Sequence, residues 1–272
     1  MIGQTARQAY KMAARFTRSS STHSGKVAIV TASSEGIGFE IARRLGHDGA
    51  KVVVSSRRQN KVDEACKKLE NEGLDVFGMV CHVGKKDDRK NLVNKTLEKY
   101  GKIDILVSNA ATNPIIGNTL DATEEAWDKI FDTNVKATFL LIKEVVPHMK
   151  EQKIKGAITL VSSIAGFAPF PALGVYSISK TALLSLTKVL ANELGPDGIR
   201  VNCIAPGIIK TNFSKALWGN ESIQEELKQG NPLKRMGRAE ECAGIVSFLS
   251  SDDASYITGE NIVVGGGVQS RL

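Results

Sequence analysis

From residue 26 onward, short aliphatic and β-branched runs alternate with longer stretches in which apolar positions recur every three or four residues. The runs at 26–31, 51–56, 76–83, 103–108, 157–163, 200–205 and 261–264 are nearly continuous in hydrophobicity. Strands of a parallel sheet covered on both faces have this pattern. Between them the helical period predicts helices over 37–48, 60–72, 86–100, 123–150, 176–194 and 239–249. Several end at a glycine (Gly49, Gly73, Gly101 and Gly195) where a left-handed C-cap meets no Cβ penalty. Strict β–α alternation with right-handed crossovers predicts one α/β domain, a doubly wound parallel sheet of about seven strands with helices on both faces.

No linker, repeat or low-complexity segment interrupts residues 26–264. The predicted organisation is a basic extension over 1–24, a folded catalytic unit over 25–267 and a short tail over 268–272. Residues 207–231 have the weakest periodicity of the folded part and are the candidate substrate loop.

Composition narrows the picture. At 272 residues with 42% hydrophobic content the chain can bury a sizeable core. It has no apolar run of about 18 residues, so no membrane-spanning helix is expected. The net charge of +7 invites a nucleic-acid reading, but four of those charges are Arg7, Lys11, Arg15 and Arg18 in an acid-free leader. Elsewhere lysines and acids interleave along helical stretches, the pattern of solvated helix faces, and no nucleic-acid partner is expected. Cys66, Cys81, Cys203 and Cys242 are widely spaced, with no Cys-x-x-Cys pair and no histidine at ligand spacing. They read as buried thiols of a reducing compartment, and no metal site is expected.

The two ends give conflicting addresses. The basic, Ser/Thr-rich extension has its charges three or four residues apart, which suits a mitochondrial transit peptide or an extension with no address. Ser270-Arg271-Leu272 is a close variant of the Ser-Lys-Leu peroxisomal signal, and the peroxisome is placed ahead of the mitochondrion.

The first predicted strand runs into Thr31-Ala-Ser33-Ser34-Glu-Gly36-Ile37-Gly38, which opens the first helix. A strand–turn–helix unit of this kind aims backbone N–H groups and the positive helix end at a pyrophosphate, the Rossmann arrangement. A fold preferring NAD usually carries an acid at the end of the second strand, to bind the ribose 2′-hydroxyl. Here that position is Ser56, followed by Arg57 and Arg58. A carboxylate would repel a 2′-phosphate, whereas a guanidinium can grip it with two bonds, so NADP(H) is the expected cofactor. Glu35, in the same loop, opposes that preference.

Tyr176 and Lys180 stand one helical turn apart and project from one face. Ser162 and Ser163 end the preceding strand, thirteen residues before Tyr176 when counted from Ser163, and ligands of open α/β sheets bind at such strand ends. When a carbonyl accepts hydride it leaves an alkoxide that needs a proton. Tyr176 could supply it, Lys180 could lower a phenol pKa that is ordinarily near 10, and Ser163 could bond the substrate oxygen. Ser163 and Tyr176 are thus the substrate contacts. Phe167, Phe170, Leu173, Phe213 and Trp218 suit either an apolar substrate pocket or ordinary packing.

Taken in order, these motifs resemble the short-chain dehydrogenase/reductase family over roughly residues 25–267. The glycine loop is similar to the family's Thr-Gly-x-x-x-Gly-x-Gly, with Ala32 in place of the first glycine. Ser108-Asn109-Ala110-Ala111 is similar to Asn-Asn-Ala-Gly, and His82-Val83 stands where relatives carry Asp-Val beneath the adenine. The resemblance makes Asn134 a fourth catalytic residue beside Ser163, Tyr176 and Lys180, holding a water that links Lys180 to solvent. It makes Pro206, Gly207, Ile209 and Thr211 a loop against the nicotinamide. The likeness is strongest to NADP-dependent carbonyl reductases and retinol dehydrogenases. It implies reduction of ketones, α-dicarbonyls or retinal by a homotetramer. A nucleotide-binding scaffold of the same fold without turnover is the alternative.

Overall fold

The computed structural model describes residues 22–215 and 230–268. The leader charges, Trp218, most of the expected substrate loop and the last four residues lie outside the described residues.

Seven parallel strands form one sheet in the order β3-β2-β1-β4-β5-β6-β7. They are β1 (Val27–Val30), β2 (Lys51–Ser56), β3 (Val76–Val80), β4 (Ile105–Ser108), β5 (Ala157–Val161), β6 (Arg200–Pro206) and β7 (Asn261–Val264). The intervening helices are α1 (Gly36–His47), α2 (Gln59–Asn71), α3 (Lys86–Tyr100), α4 (Glu124–Phe131), α5 (Ala137–Glu151), α6 (Gly174–Leu194) and α7 (Glu240–Ser250).

Alternate residues of each strand feed two separate cores, because side chains of a strand point to opposite faces. Ala28, Val30, Val52 and Val54 pack with α1, α2 and α7, while Ile29, Val53, Leu106 and Ile158 pack with α3, α5 and α6. Both faces are therefore covered and the central strands are buried throughout. The register pairs Val30 with Val54 and with Val107, so the carboxyl ends of β1, β2 and β4 lie level. The strand order reverses between β1 and β4, and a crevice opens at that switch point.

Two local expectations need correction. The predicted helix over 123–150 is interrupted by a π-helical turn, Asp132–Lys136, between α4 and α5. Gly195 does not end α6 in the left-handed region, since its φ is −55°. The chain continues into a 3-10 turn, Gly195–Asp197, and Gly198 takes the positive φ of 75° instead. Gly49, Gly73 and Gly101 do adopt positive φ.

Candidate active site

At the carboxyl ends of the strands lies a crevice of about 530 Å³, lined by Ser34, Gly36, Ser56, Arg57, His82, Asn109, Ser163, Tyr176, Lys180 and Thr211 among others. That volume lies within the usual range for a small-ligand cleft. At its floor Thr31 and Ser33 are fully buried and act as braces rather than lining. The Thr31 hydroxyl accepts from the N–H groups of Asn109 and Ala110 at 3.0 and 3.2 Å. Ser33 donates to the Val30 carbonyl at 2.6 Å and accepts from the Ser55 N–H at 3.0 Å. The Asn109 amide donates to the carbonyls of Thr31 and Ala32, both at 3.1 Å. These bonds weld the ends of β1, β2 and β4 into one surface.

Over that floor the loop enters α1. Ala32 takes a φ of +50°, the left-handed conformation that costs a non-glycine residue roughly 1–2 kcal/mol. Gly38 is fixed by space. A Cβ there would lie 2.5 Å from the Ala32 carbonyl oxygen and closer still to Asn109 Nδ2. The N-cap residue Glu35 makes no side-chain bond to the first turn of α1, and Gly36 and Ile37 of that turn line the crevice, so the unpaired N–H groups of a helix start lie where an anion could bind. An uncapped helix end, a glycine at the closest approach and a cleft of this size fit a dinucleotide pyrophosphate. Gly38 itself is not part of the lining.

Ser56, Arg57 and Arg58 border the crevice at the end of β2, with His82 and Val83 beyond β3. His82 Nδ1 accepts from the Gly84 N–H at 3.1 Å, which leaves the proton of the neutral ring on Nε2. Its pKa is held below the ordinary value by burial first, then by the positive charges of Lys129 and Arg57. Glu35 does not reach a helix N–H. Its carboxylate accepts from Asn212 Nδ2 at 3.0 Å, joining the glycine loop to the segment after β6. Pro206, Gly207, Ile209 and Thr211 line the crevice there.

Across the crevice, Ser163 follows β5 and Tyr176 and Lys180 project from the first turns of α6. Gly166 allows the turn after Ser163 to lie against α6, because a Cβ there would stand 2.9 Å from the Lys180 backbone. The Thr181 hydroxyl donates to the Gly166 carbonyl at 2.8 Å and pins this approach. The Ser163 hydroxyl accepts from the Ala165 N–H at 3.1 Å and lies near enough to the Tyr176 phenol to lower its pKa. Strand-end capping and site chemistry therefore use one hydroxyl. Phe170, Leu173 and Phe213 line the apolar side, and the Tyr176 and Phe213 rings lie 6.0 Å apart. Phe167 packs against the α3/α5/α6 core instead.

Electrostatics depart from the simple expectation that Lys180 acidifies Tyr176. The Lys180 ammonium donates to the Val161 carbonyl at 2.9 Å and lies 5.5 Å from the Tyr176 ring centroid. Burial pushes the Tyr176 phenol up to about 12, partly offset by the Ser163 hydroxyl. Burial also brings Lys180 down to about 8, with Cys203 acting slightly in the opposite sense. Desolvation disfavours the charged form of each group and is the largest cause of both shifts.

Asn134 lies in the π-helical turn, fully buried and outside the crevice lining. Its Oδ1 accepts from the Thr112 N–H at 2.8 Å, and its Nδ2 donates to the Thr112 carbonyl and to Ser179 Oγ, both at 3.0 Å. Its own carbonyl accepts from the Thr138 hydroxyl, which accepts in turn from Ser108, each at 3.0 Å. An asparagine is unfavourable inside a regular helix, and a π-bulge in which its side chain makes three hydrogen bonds, two to the Thr112 backbone and one to Ser179, accounts for this one.

Sequence reasoning missed several lining residues. Lys129 and Thr133 come from α4 and the π-helical turn, and Thr112 follows the end of β4. Nothing in their local sequence marks them, because only the tertiary fold brings them to the crevice. The four cysteines are free and buried, with pKa values of about 11 to 12 raised chiefly by burial. Among the described residues no group of three His, Cys, Asp or Glu could hold a metal ion, and no helix is long and apolar enough to cross a membrane.

Comparison with known proteins bears on this geometry. A family profile described as Enoyl-(Acyl carrier protein) reductase matches residues 31–269. The chain is 58% identical over 249 residues to Dehydrogenase/reductase SDR family member 4 of Mus musculus, covering 92% of this chain and 89% of that one. It is 57% identical over 241 residues to Dehydrogenase/reductase SDR family member 2, mitochondrial, of Homo sapiens, covering 89% and 85%. Among solved structures, a short-chain type dehydrogenase/reductase from Mycobacterium marinum superposes with a TM-score of 0.86. It is 33% identical, and the match covers 92% of this chain and 98% of that one.

Proposed function

Because this chain belongs to the short-chain dehydrogenase/reductase family, and so is an oxidoreductase acting with a nicotinamide dinucleotide on a small molecule, we propose that it is an NADPH-dependent carbonyl reductase. Its substrates are ketones, α-dicarbonyls or retinal. The observation that carries this reading is the convergence of Ser163, Tyr176 and Lys180 on one crevice with the uncapped end of α1 and with Ser56, Arg57 and Arg58. When bound, the dinucleotide supplies hydride to the substrate carbon or takes it back. Ser34, Gly36, Ile37 and the α1 N–H groups hold its phosphates, Asn109, Ala110 and Ala111 its floor, and Ser56 and Arg57 its 2′-phosphate. His82 and Val83 border its adenine, while Pro206, Gly207, Ile209 and Thr211 close on the nicotinamide side.

The residues then do the following. Ser163 donates a hydrogen bond to the substrate oxygen and stabilises the negative charge developing there. Tyr176, at about 12, keeps its proton at neutral pH and gives it up to an alkoxide, which is far more basic. Lys180, still mostly protonated at pH 7, lies close enough to the ring to stabilise the tyrosinate left behind. Asn134 links Lys180 to solvent through water and so returns the proton. Phe170, Leu173 and Phe213 exclude water and favour apolar substrates.

The same reading assigns residues 25–267 to one catalytic unit with its substrate loop at 207–231. It takes the active form as a homotetramer, for which Trp127, Phe139, Ile178 and Val189 offer exposed apolar surface on α4, α5 and α6. Ser270-Arg271-Leu272 addresses the protein to the peroxisome, with the mitochondrion as the alternative through the leader. The test is a panel of carbonyl substrates assayed with NADPH and with NADH, in the wild type and in Arg57→Ala. The reading expects NADPH preference and a rise of about 10- to 100-fold in the KM for NADPH in the variant, with NADH little changed. Equal efficiency with both cofactors in the wild type would overturn the NADP assignment, and binding without turnover would overturn the reductase.

A further inference from the structure

We propose that Ser179 is a positioning residue that fixes the Asn134 amide against the helix carrying Tyr176 and Lys180. The inference rests on the reading that Asn134, Tyr176 and Lys180 work together. Ser179 is one residue before Lys180 and three after Tyr176, so it stands on the flank of their shared face, about 100° around the helix from Lys180, and does not line the crevice. It is fully buried.

The serine hydroxyl has one proton and places it on the Tyr176 carbonyl at 2.6 Å. It can therefore only accept from its other partner, Asn134 Nδ2, at 3.0 Å. That polarity agrees with the one the Thr112 backbone imposes on the Asn134 amide and holds its remaining N–H in place. Its Oδ1 must meet the Thr112 N–H at 2.8 Å, and its second Nδ2 proton the Thr112 carbonyl at 3.0 Å. An inverted amide would set oxygen against the serine lone pairs and N–H against N–H at Thr112. The π-helical turn is thereby bolted to the second turn of α6 through one hydroxyl. The same hydroxyl draws on the Tyr176 carbonyl, one of the backbone groups that set the spacing between Tyr176 and Lys180, since a serine bonding back along a helix adjusts its local geometry.

Ser179→Ala removes the hydroxyl, leaves one buried Asn134 N–H without an acceptor and frees the amide to tilt. The expected result is a fall in kcat of about 10- to 100-fold, the size of one buried donor left unpaired. The KM for the carbonyl and the Kd for NADPH should stay within about twofold, because Ser179 touches neither. In the alcohol-oxidation direction, which needs tyrosinate, the acid limb of the kcat profile should move to higher pH, since Tyr176 stays nearer its burial-raised value. Ser179→Thr, which keeps the hydroxyl, should restore most of kcat. Ser179→Cys, with a weak donor and acceptor of similar shape, should fall between the two and gives a second reading if the alanine variant folds poorly. A lowered Tm with kcat and pH profile unmoved would overturn the inference, as would equal loss in the alanine and threonine variants. Asn134→Ala separates the role of Asn134 from that of Ser179. Full turnover there refutes the role of Asn134 itself, whereas loss there beside an unaffected Ser179→Ala refutes only the positioning role.

Discussion

Replacing Lys180 with methionine should give a protein that has lost its chemistry and kept, or gained, stability. The lysine is 2% exposed, and burial takes its pKa from 10.5 to about 8. Holding the charge in the core at neutral pH therefore costs roughly 3 kcal/mol, at about 1.4 kcal/mol for each tenfold change in proton affinity. Methionine matches its length without the charge. The opposing cost is the Val161 carbonyl, which loses the 2.9 Å bond from Nζ and is left buried without that donor, at roughly 1–3 kcal/mol. The balance runs from neutral to about 2 kcal/mol in favour of the variant, a rise in Tm of up to about 5 °C for a chain of this size. Turnover should fall by about 10²- to 10⁴-fold, the usual worth of an assisted proton transfer.

The sign of the pH effect supplies an internal control. The folded protein holds Lys180 with a pKa below its unfolded value, so between pH 8 and 10.5 the unfolded chain binds more protons. The lysine penalty is present in full below pH 8 and relieved as the pH rises through that window. The advantage of the variant at pH 7 should vanish and reverse by pH 10, because the relief of roughly 3 kcal/mol exceeds the 0 to about 2 kcal/mol lead, while the buried cysteines titrate in both proteins and largely cancel. Thermal melts at pH 7 and pH 10, paired with initial rates, test this. At pH 7, a Tm more than about 5 °C below the wild type, or turnover within tenfold of it, would refute the reasoning.

Two further outcomes follow from other parts of the fold. Gly38→Ala drives a methyl group against the Ala32 carbonyl and the Asn109 amide. It should lower stability by about 1–3 kcal/mol in denaturant titrations and weaken dinucleotide binding, whereas an unchanged binding constant would show that the loop need not approach so closely. His23 is fully buried with Nε2 bonded to Ser247 at 3.0 Å and Nδ1 unpartnered, and its pKa is lowered by burial first and then by Lys26. The folded state thus binds fewer protons than the unfolded chain below pH 6.5, and stability should drop as the pH falls through that value. His23→Gln should flatten this dependence in melts between pH 7 and 5.

Elements whose cause is local were legible in the chain. The seven apolar runs became seven strands, the inner ones buried on both faces and the edge strands β3 and β7 partly buried, and the helix ends at Gly49, Gly73 and Gly101 follow from residues that tolerate positive φ. Gly195 misled because α6 runs on into a 3-10 turn and the reversal is made by Gly198. The π-helical turn was hidden inside a continuous helical period, since its stabilising partners, Thr112 and Ser179, are distant in sequence. At the site, spacing was enough to pair Tyr176 with Lys180, and Ser163 was drawn to them through its place at a strand end. Spacing could not show that Thr31 and Ser33 brace the floor from below, that Glu35 reaches Asn212, or that burial dominates the charge states of Tyr176 and Lys180. Those depend on depth in the folded chain, which no short window of sequence contains.

The proton source is tested most directly by Tyr176→Phe, which removes one oxygen from the wall of the crevice and leaves the ring in place. With NADPH binding measured by fluorescence and turnover followed on a dicarbonyl and an aromatic ketone, binding should stay within about twofold and kcat should fall by about 10²- to 10⁴-fold. A variant that binds NADPH and still reduces either substrate at a tenth of the wild-type rate or better would contradict the account.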